Sequence, residues 1–168
     1  MKNEYQIDGS IAHMVLCHKD GSEKSRTTID SEDVGMCSEI RWCDTNGYVT
    51  SHKRIGGERT VLRLHDHLLG FNGNRKIQID HINRDALDNR KSNLRICTHQ
   101  QNLSNNSHPV GESGFRGVYP VAGRWRAKIR DNGVCKQIGA FNTAIAAARA
   151  WNAKALEIRG EFAVLNDV

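Results

Sequence analysis

The sequence predicts an α+β chain: a strand–loop–strand–helix module built around one polar site, followed by a three-stranded antiparallel sheet packed on one helix. Three observations carry this. A short β-branched run ends in Asp80-His81, gives way to a polar loop, and returns through a second apolar run into a capped, Asn-rich segment. Further on, Arg124, Arg126, Lys128 and Arg130 alternate with Trp125, Ala127 and Ile129, the period of a strand with one basic and one apolar face. An alanine-dominated run then extends from Thr143 to Arg159 at helical spacing.

Composition bounds the class. The 168 residues make one or two small domains. No apolar stretch approaches the ~18 residues of a membrane helix and no signal-peptide core is present, so a cytoplasmic protein without a membrane partner is expected. The five cysteines are scattered and form no C-x-x-C pair, so no structural zinc and no disulfide framework is expected. Charge is uneven: residues 1–50 carry 5 basic and 9 acidic side chains, residues 51–110 carry 10 and 5, and residues 111–168 carry 9 and 5. The two basic parts suit a phosphate backbone.

Taken in order, Ile11 to Leu16 reads as a strand, Asp20-Gly21 as a turn, and Ile29 to Asp33 as the start of a short helix against which Trp42 packs. Tyr48 to His52 and Thr60 to Leu64 are strands joined across Gly56-Gly57. His65 to Gly70 is a helical turn. Gln78 to Ile82 is a strand, Asn83 to Ser92 a loop, and Asn93 to Cys97 the return strand. Thr98 caps the next helix, with Gln101 completing a capping box, which starts the helix near His99 and puts Asn102 one turn in. An Asn- and Ser-rich linker follows, with a boundary near Pro109. Gly114 to Tyr119, Gly123 to Arg130 and Val134 to Ile138 are three strands, with Asp131-Asn132-Gly133 as a tight turn. Thr143 caps a helix whose Ala147, Ala148, Trp151, Ala155 and Ile158 form the face that meets the sheet.

If hairpin and helix pack together, Asp80 offers a carboxylate oxygen and Asn102 a carbonyl oxygen, a pair suited to Mg²⁺ that keeps several waters. His81 alternates to the other side of the strand, and its near-neutral pKa suits it to take a proton from water. Asp, His and Asn are also ordinary turn residues, and Asn93 reads as a brace across the loop. The basic strand face is either a groove-binding surface or a solvated one.

The run Asp80-His81-Ile82-Asn83, Leu87-Asp88-Asn89-Arg90, Ser92-Asn93-Leu94-Arg95 and Gln101-Asn102 resembles the HNH nuclease family, in the branch of homing endonucleases from phages and mobile introns. The resemblance implies an N-terminal scaffold over residues 1–46 and a nuclease domain over 47–108, with a ββα-metal finger at about 77–106. It implies Asp80 and Asn102 as holders of a divalent ion, Mg²⁺ first and Mn²⁺ second, with His81 as general base and Asn93 fixing the loop. Arg84 stands where the family usually has Gly, and Asn102 stands in place of the final His, as in an active branch. His99 is then a second-choice ligand, and His65, in a segment similar to one that precedes the family's hairpin, is an accessory metal or phosphate contact.

Residues 113–166 resemble a second family. Phe115-Arg116-Gly117-Val118, Gly123-Arg124-Trp125, Ile138-Gly139-Ala140-Phe141 and Gly160 to Asn166 look like the APETALA/ethylene-response-factor DNA-binding domain. The resemblance implies a domain over 109–168 that lays its sheet in a DNA groove, with Arg116, Arg124, Lys128 and Arg130 at contact positions and Arg126 on the same basic face. The expected whole is a metal-dependent endonuclease acting on double-stranded DNA, monomeric, one active site nicking one strand. Its rivals are a binding regulator with an inactive nuclease module, and an interaction protein with a basic surface.

Overall fold

The computed structural model describes residues 2–55, 57–71, 76–105 and 110–168. Contacts divide the chain into two units, Met1–Cys97 and Thr98–Val168. The expected boundary near Pro109 lies outside the described residues, as does Gly56 of the expected Gly-Gly turn.

In the first unit, β1 (Tyr5–Asp8), β2 (Ile11–Cys17) and β3 (Glu23–Asp30) form an antiparallel sheet in chain order. A 3-10 turn and α1 (Val34–Ser38) lead to a second antiparallel sheet, β4 (Cys43–Thr45), β5 (Tyr48–Ile55) and β6 (Glu58–Arg63). Then come α2 (Leu64–Leu68) and the hairpin β7 (Ile77–His81) with β8 (Leu94–Thr98). The period-2 pattern of β2 sends Ala12, Met14 and Leu16 into one core with Ile29, Cys37, Trp42, Val49, Leu64, Ile79 and Leu94. Residues 1–46 and the stretch after them therefore share one hydrophobic cluster.

The expected helix start at Ile29 is not found. Ile29 is fully buried and Asp30 completes β3, so helical backbone begins only with the 3-10 turn Ser31–Asp33. Trp42 does pack against the short helix, its indole donating to the Cys37 carbonyl at 3.0 Å. Asn3 clasps the same residue, accepting from Trp42 N at 2.8 Å and donating to its carbonyl at 3.0 Å.

In the second unit, α3 (His99–Asn105) begins with the expected capping box: Gln101 N donates to Thr98 Oγ1 at 3.3 Å and Thr98 N to Gln101 Oε1 at 2.8 Å. The sheet is β9 (Val118–Val121), β10 (Arg124–Asp131) and β11 (Val134–Phe141), antiparallel in order β9-β10-β11. Helix α4 (Ala144–Arg159), capped by Thr143, lies on it. Ala147, Ala148, Trp151, Ala155 and Ile158 all meet the core formed with Val118, Ala127 and Ile129. The Asn132-Gly133 turn has two positive φ angles, 49° and 79°, the signature of a two-residue hairpin.

The first strand starts four residues later than expected, at Val118, because Gly114 (φ 72°) and Gly117 (φ 73°) are left-handed rather than extended. Gly117 is also wedged beneath Trp151, whose indole donates to Lys128 O at 3.0 Å, and an added Cβ would stand 2.6 Å from that same carbonyl. Gly117→Ala is expected to destabilise the second unit by more than about 3 kcal/mol, through φ strain and displacement of Trp151, read as a lowered denaturant midpoint.

Candidate active site

The loop between β7 and β8 is closed by one side chain. Asn93 accepts from Asn83 N at 3.0 Å and donates to Asn83 Oδ1 at 2.9 Å and to the Asp88 carbonyl at 2.8 Å. It is thus the loop brace expected from the sequence. Asp88 adds a second tie, accepting from Asn83 Nδ2 at 2.8 Å and from Arg90 Nε and Nη2 at 2.8 and 2.7 Å. Arg84 takes φ 68°, the left-handed conformation that explains why glycine is usual at this position in the family the loop resembles.

The loop is docked on β3. Thr28 N donates to Leu87 O at 2.9 Å, Asn89 N to Thr28 O at 2.8 Å, and Lys91 N to Asp30 Oδ2 at 2.8 Å. Lys91 Nζ also pairs with buried Asp33 at 2.6 Å. Each of these bonds joins residues 58 or more apart in sequence.

His81 and Asp80, both buried, end β7. The His81 ring lies 5.2 Å from the His65 ring and 6.4 Å from that of Tyr48, both edge-on. Its Nε2 lies 3.3 Å from Asn89 Oδ1. The orientation of that amide follows from its other partners. Asn89 Nδ2 faces the Ala86 carbonyl and Thr27 Oγ1, and the Thr27 hydroxyl gives its own proton to Leu87 O at 2.6 Å. Both can only accept, so the amide oxygen faces His81 and Nε2 must carry the proton of the neutral ring. The lone pair then resides on Nδ1.

Burial lowers the His81 pKa, opposed by the Asn89 hydrogen bond and by Asp80, Asp85 and Asp88. His65 is pushed down to about 3, by burial first and then by the charges of His81 and Arg63. Both rings are therefore uncharged at neutral pH, and His81 is able to accept a proton. Asp80 is charge-compensated by Arg95, with Nε and Nη2 at 2.9 and 2.8 Å from its Oδ2. The Ile82 N to Asn93 O bond sets that register, since counting outward places residue 95 across from residue 80.

His65, Asp80, His81 and Asn93 thus lie together in the first unit, and Tyr48, Asn89, Thr27 and Arg95 join them. Of these four, Arg95 was readable as an opposite charge across a hairpin; the others arrive from distant strands or from inside the loop. Asn102, half-buried on α3, and His99, exposed at its first position, belong to the second unit. Among the described residues no three His, Cys, Asp or Glu side chains gather as a ready metal site. The oxygens of Asp80 and Asn102 are hard donors of the kind a water-retaining divalent ion takes.

On β10, Arg124 and Arg130 are exposed while Arg126 and Lys128 are half-buried, opposite an apolar face of Ala127 and Ile129. Arg116 does not join them. It is 9% exposed, its guanidinium 5.8 Å from the Trp151 ring, and its main chain clasped by Asn166 through bonds of 2.6 and 3.2 Å. Its guanidinium thus lies by Trp151 of α4.

The β7–β8 part of the polar cluster, without Thr27, Tyr48 and His65, falls in the stretch that family comparison picks out. Residues 71–104 match the HNH endonuclease family. This span holds Asp80, His81, Asn93 and Asn102. A protein of Acanthamoeba polyphaga mimivirus described as an uncharacterized HNH endonuclease is 36% identical over 92 residues, which are 55% of this chain and 48% of that protein. The chain therefore spans about half the length of this curated relative. No solved structure matches.

Two outcomes follow for the loop between β7 and β8. Asn93→Ala removes three hydrogen bonds and strands buried polar groups, and is expected to cost about 2–4 kcal/mol in urea unfolding. Asp88, whose pKa is lowered chiefly by the Arg90 hydrogen bonds, contributes stability that is present above the ordinary aspartate value of about 3.9 and lost as pH falls through its folded value. Arg90→Gln is expected to flatten that acid-side loss in urea midpoints measured from pH 6 downward.

Proposed function

We propose that this chain is a metal-dependent HNH endonuclease of the homing type that hydrolyses a phosphodiester of double-stranded DNA, with the sheet of the second unit binding the duplex. The observation that carries the reading is that the HNH match coincides with a buried histidine whose Nε2 stands 3.3 Å from the Asn89 amide oxygen. His81 takes a proton from the attacking water through Nδ1. Asn93 keeps the loop closed around it, and Asn89 with Thr27 holds the ring's orientation. Asp80 and Asn102 would hold the ion, and Arg95 steadies the Asp80 carboxylate against its own burial. Mg²⁺, or Mn²⁺ in its place, supplies Lewis acidity at the phosphate and the leaving oxygen when bound.

The second unit is read as an APETALA/ethylene-response-factor type domain on the strength of its three antiparallel strands, its alanine-faced helix and the exposed cations of β10. A monomer with one such site nicks one strand. No helix of the described residues is long and apolar enough to cross a membrane.

The test is cleavage of supercoiled plasmid or phage DNA with Mg²⁺, with EDTA and with His81→Ala. Nicked product that disappears in EDTA and falls about 100-fold or more in His81→Ala is expected. Retarded but uncut DNA in every lane would instead identify a binding protein. Replacing Arg124, Lys128 and Arg130 by Gln is expected to reduce the slope of log affinity against log salt by about 2 to 3.

A further inference from the structure

We propose that the outer part of the β5–β6 ribbon is a second DNA-docking surface, with its arginines on the phosphate backbone beside the His81 site. It is separate from the β10 face and rests on the endonuclease reading above. The register places Arg54 directly across from Arg59, His52 across from Val61, and Thr50 across from Arg63. Alternation then puts Tyr48, Thr50, His52 and Arg54 on one face with Arg59, Val61 and Arg63. Glu58, across from Ile55, falls on the other face. One face of the ribbon therefore carries three arginines and a histidine and no acid.

Two like charges directly opposed on neighbouring strands destabilise a ribbon. Elsewhere in the same unit Lys2, Lys24, Arg26, Arg90 and Lys91 are each paired with a carboxylate, while Lys19, Arg41 and Arg84, like the ribbon arginines, have no ion pair among the described residues but do not face a like charge across a strand pair. Among the described residues no ion pair compensates Arg54 or Arg59, and both are exposed. A polyanion relieves that repulsion, and exposed Val61 and Tyr48, 52% and 49% accessible, supply apolar area between the charges.

Position selects the partner. Tyr48 stands on this face and meets His81 edge-on, so the basic row begins at the candidate catalytic residue. The six residue steps from Tyr48 to Arg54 cover ~20 Å. At ~3.4 Å per nucleotide, that places Arg54 about six nucleotides from the bond opened at His81. A two-stranded ribbon is also narrow enough for a groove edge of B-form DNA.

The experiment uses the full chain with His81→Ala, so that DNA is bound and not cut, and a duplex containing the cleavage site. Arg54→Glu places a carboxylate opposite Arg59, which should leave thermal stability equal or raised. Its affinity for the duplex should nevertheless fall about ten-fold or more, and its salt slope by about 1 to 2. Ethylation interference should lose its signal about six nucleotides from the cleaved bond. Arg59→Glu, the mirror-image change, should do the same. Affinity, slope and interference unchanged in both variants, while the His81→Ala chain binds and the wild-type chain cuts, would overturn the ribbon alone. A wild-type chain that neither binds nor cuts would overturn the endonuclease reading, and this surface with it.

Discussion

The Asn93 amide is the constraint on which the candidate site depends. Its three bonds close a loop of about ten residues whose own sequence is rich in groups that prefer turns to strands, and they hold β7 and β8 at the spacing that faces Asp80 with Arg95. From that closed loop Asn89 can reach both Thr27 and His81. The protonation of one imidazole nitrogen is thereby traced back to a hydroxyl more than 50 residues earlier.

Charge is handled differently in different places. Inside the first unit, buried carboxylates are matched by cations, Asp80 by Arg95 and Asp33 by Lys91, while the paired histidines are kept uncharged by burial. A buried ion left without its partner would be costly, and these sites avoid it. On the β5–β6 ribbon and on β10, cations stand at the surface. The half-buried Lys128 and Arg126 show that even the β10 face is partly held by the sheet rather than fully solvated.

Much of the local structure was legible because it is encoded by near neighbours. The Thr98–Gln101 capping box, the Asn132-Gly133 turn, the alanine face of α4 and the brace at Asn93 each rest on residues within a few positions of one another. What was not legible rests on distance or on handedness. The strands β1 and β4 are too short to announce themselves, and Ile29 was drawn into a strand by the core it fills. Arg116 carries a charge suited to a DNA contact, and its burial beside Trp151 was not readable from the charge. Thr27 and Asn89 gave no signal, since neither a hydroxyl in a strand nor one more Asn in a loop points to a histidine that is remote in sequence. Tyr48 was read only as part of a strand.

The docking of the β7–β8 loop on β3 also bears on modularity. Residues 71–104 are what family comparison recognises, yet Thr27, Thr28, Asp30 and Asp33 form one wall of the same pocket of hydrogen bonds. A graft limited to the recognised span would leave Asn89 Nδ2 without its hydroxyl acceptor and Lys91 without its carboxylates. The smallest transplantable piece that keeps this loop's hydrogen bonds is accordingly the first unit, and recombination between related genes would preserve them best when no breakpoint falls inside that unit.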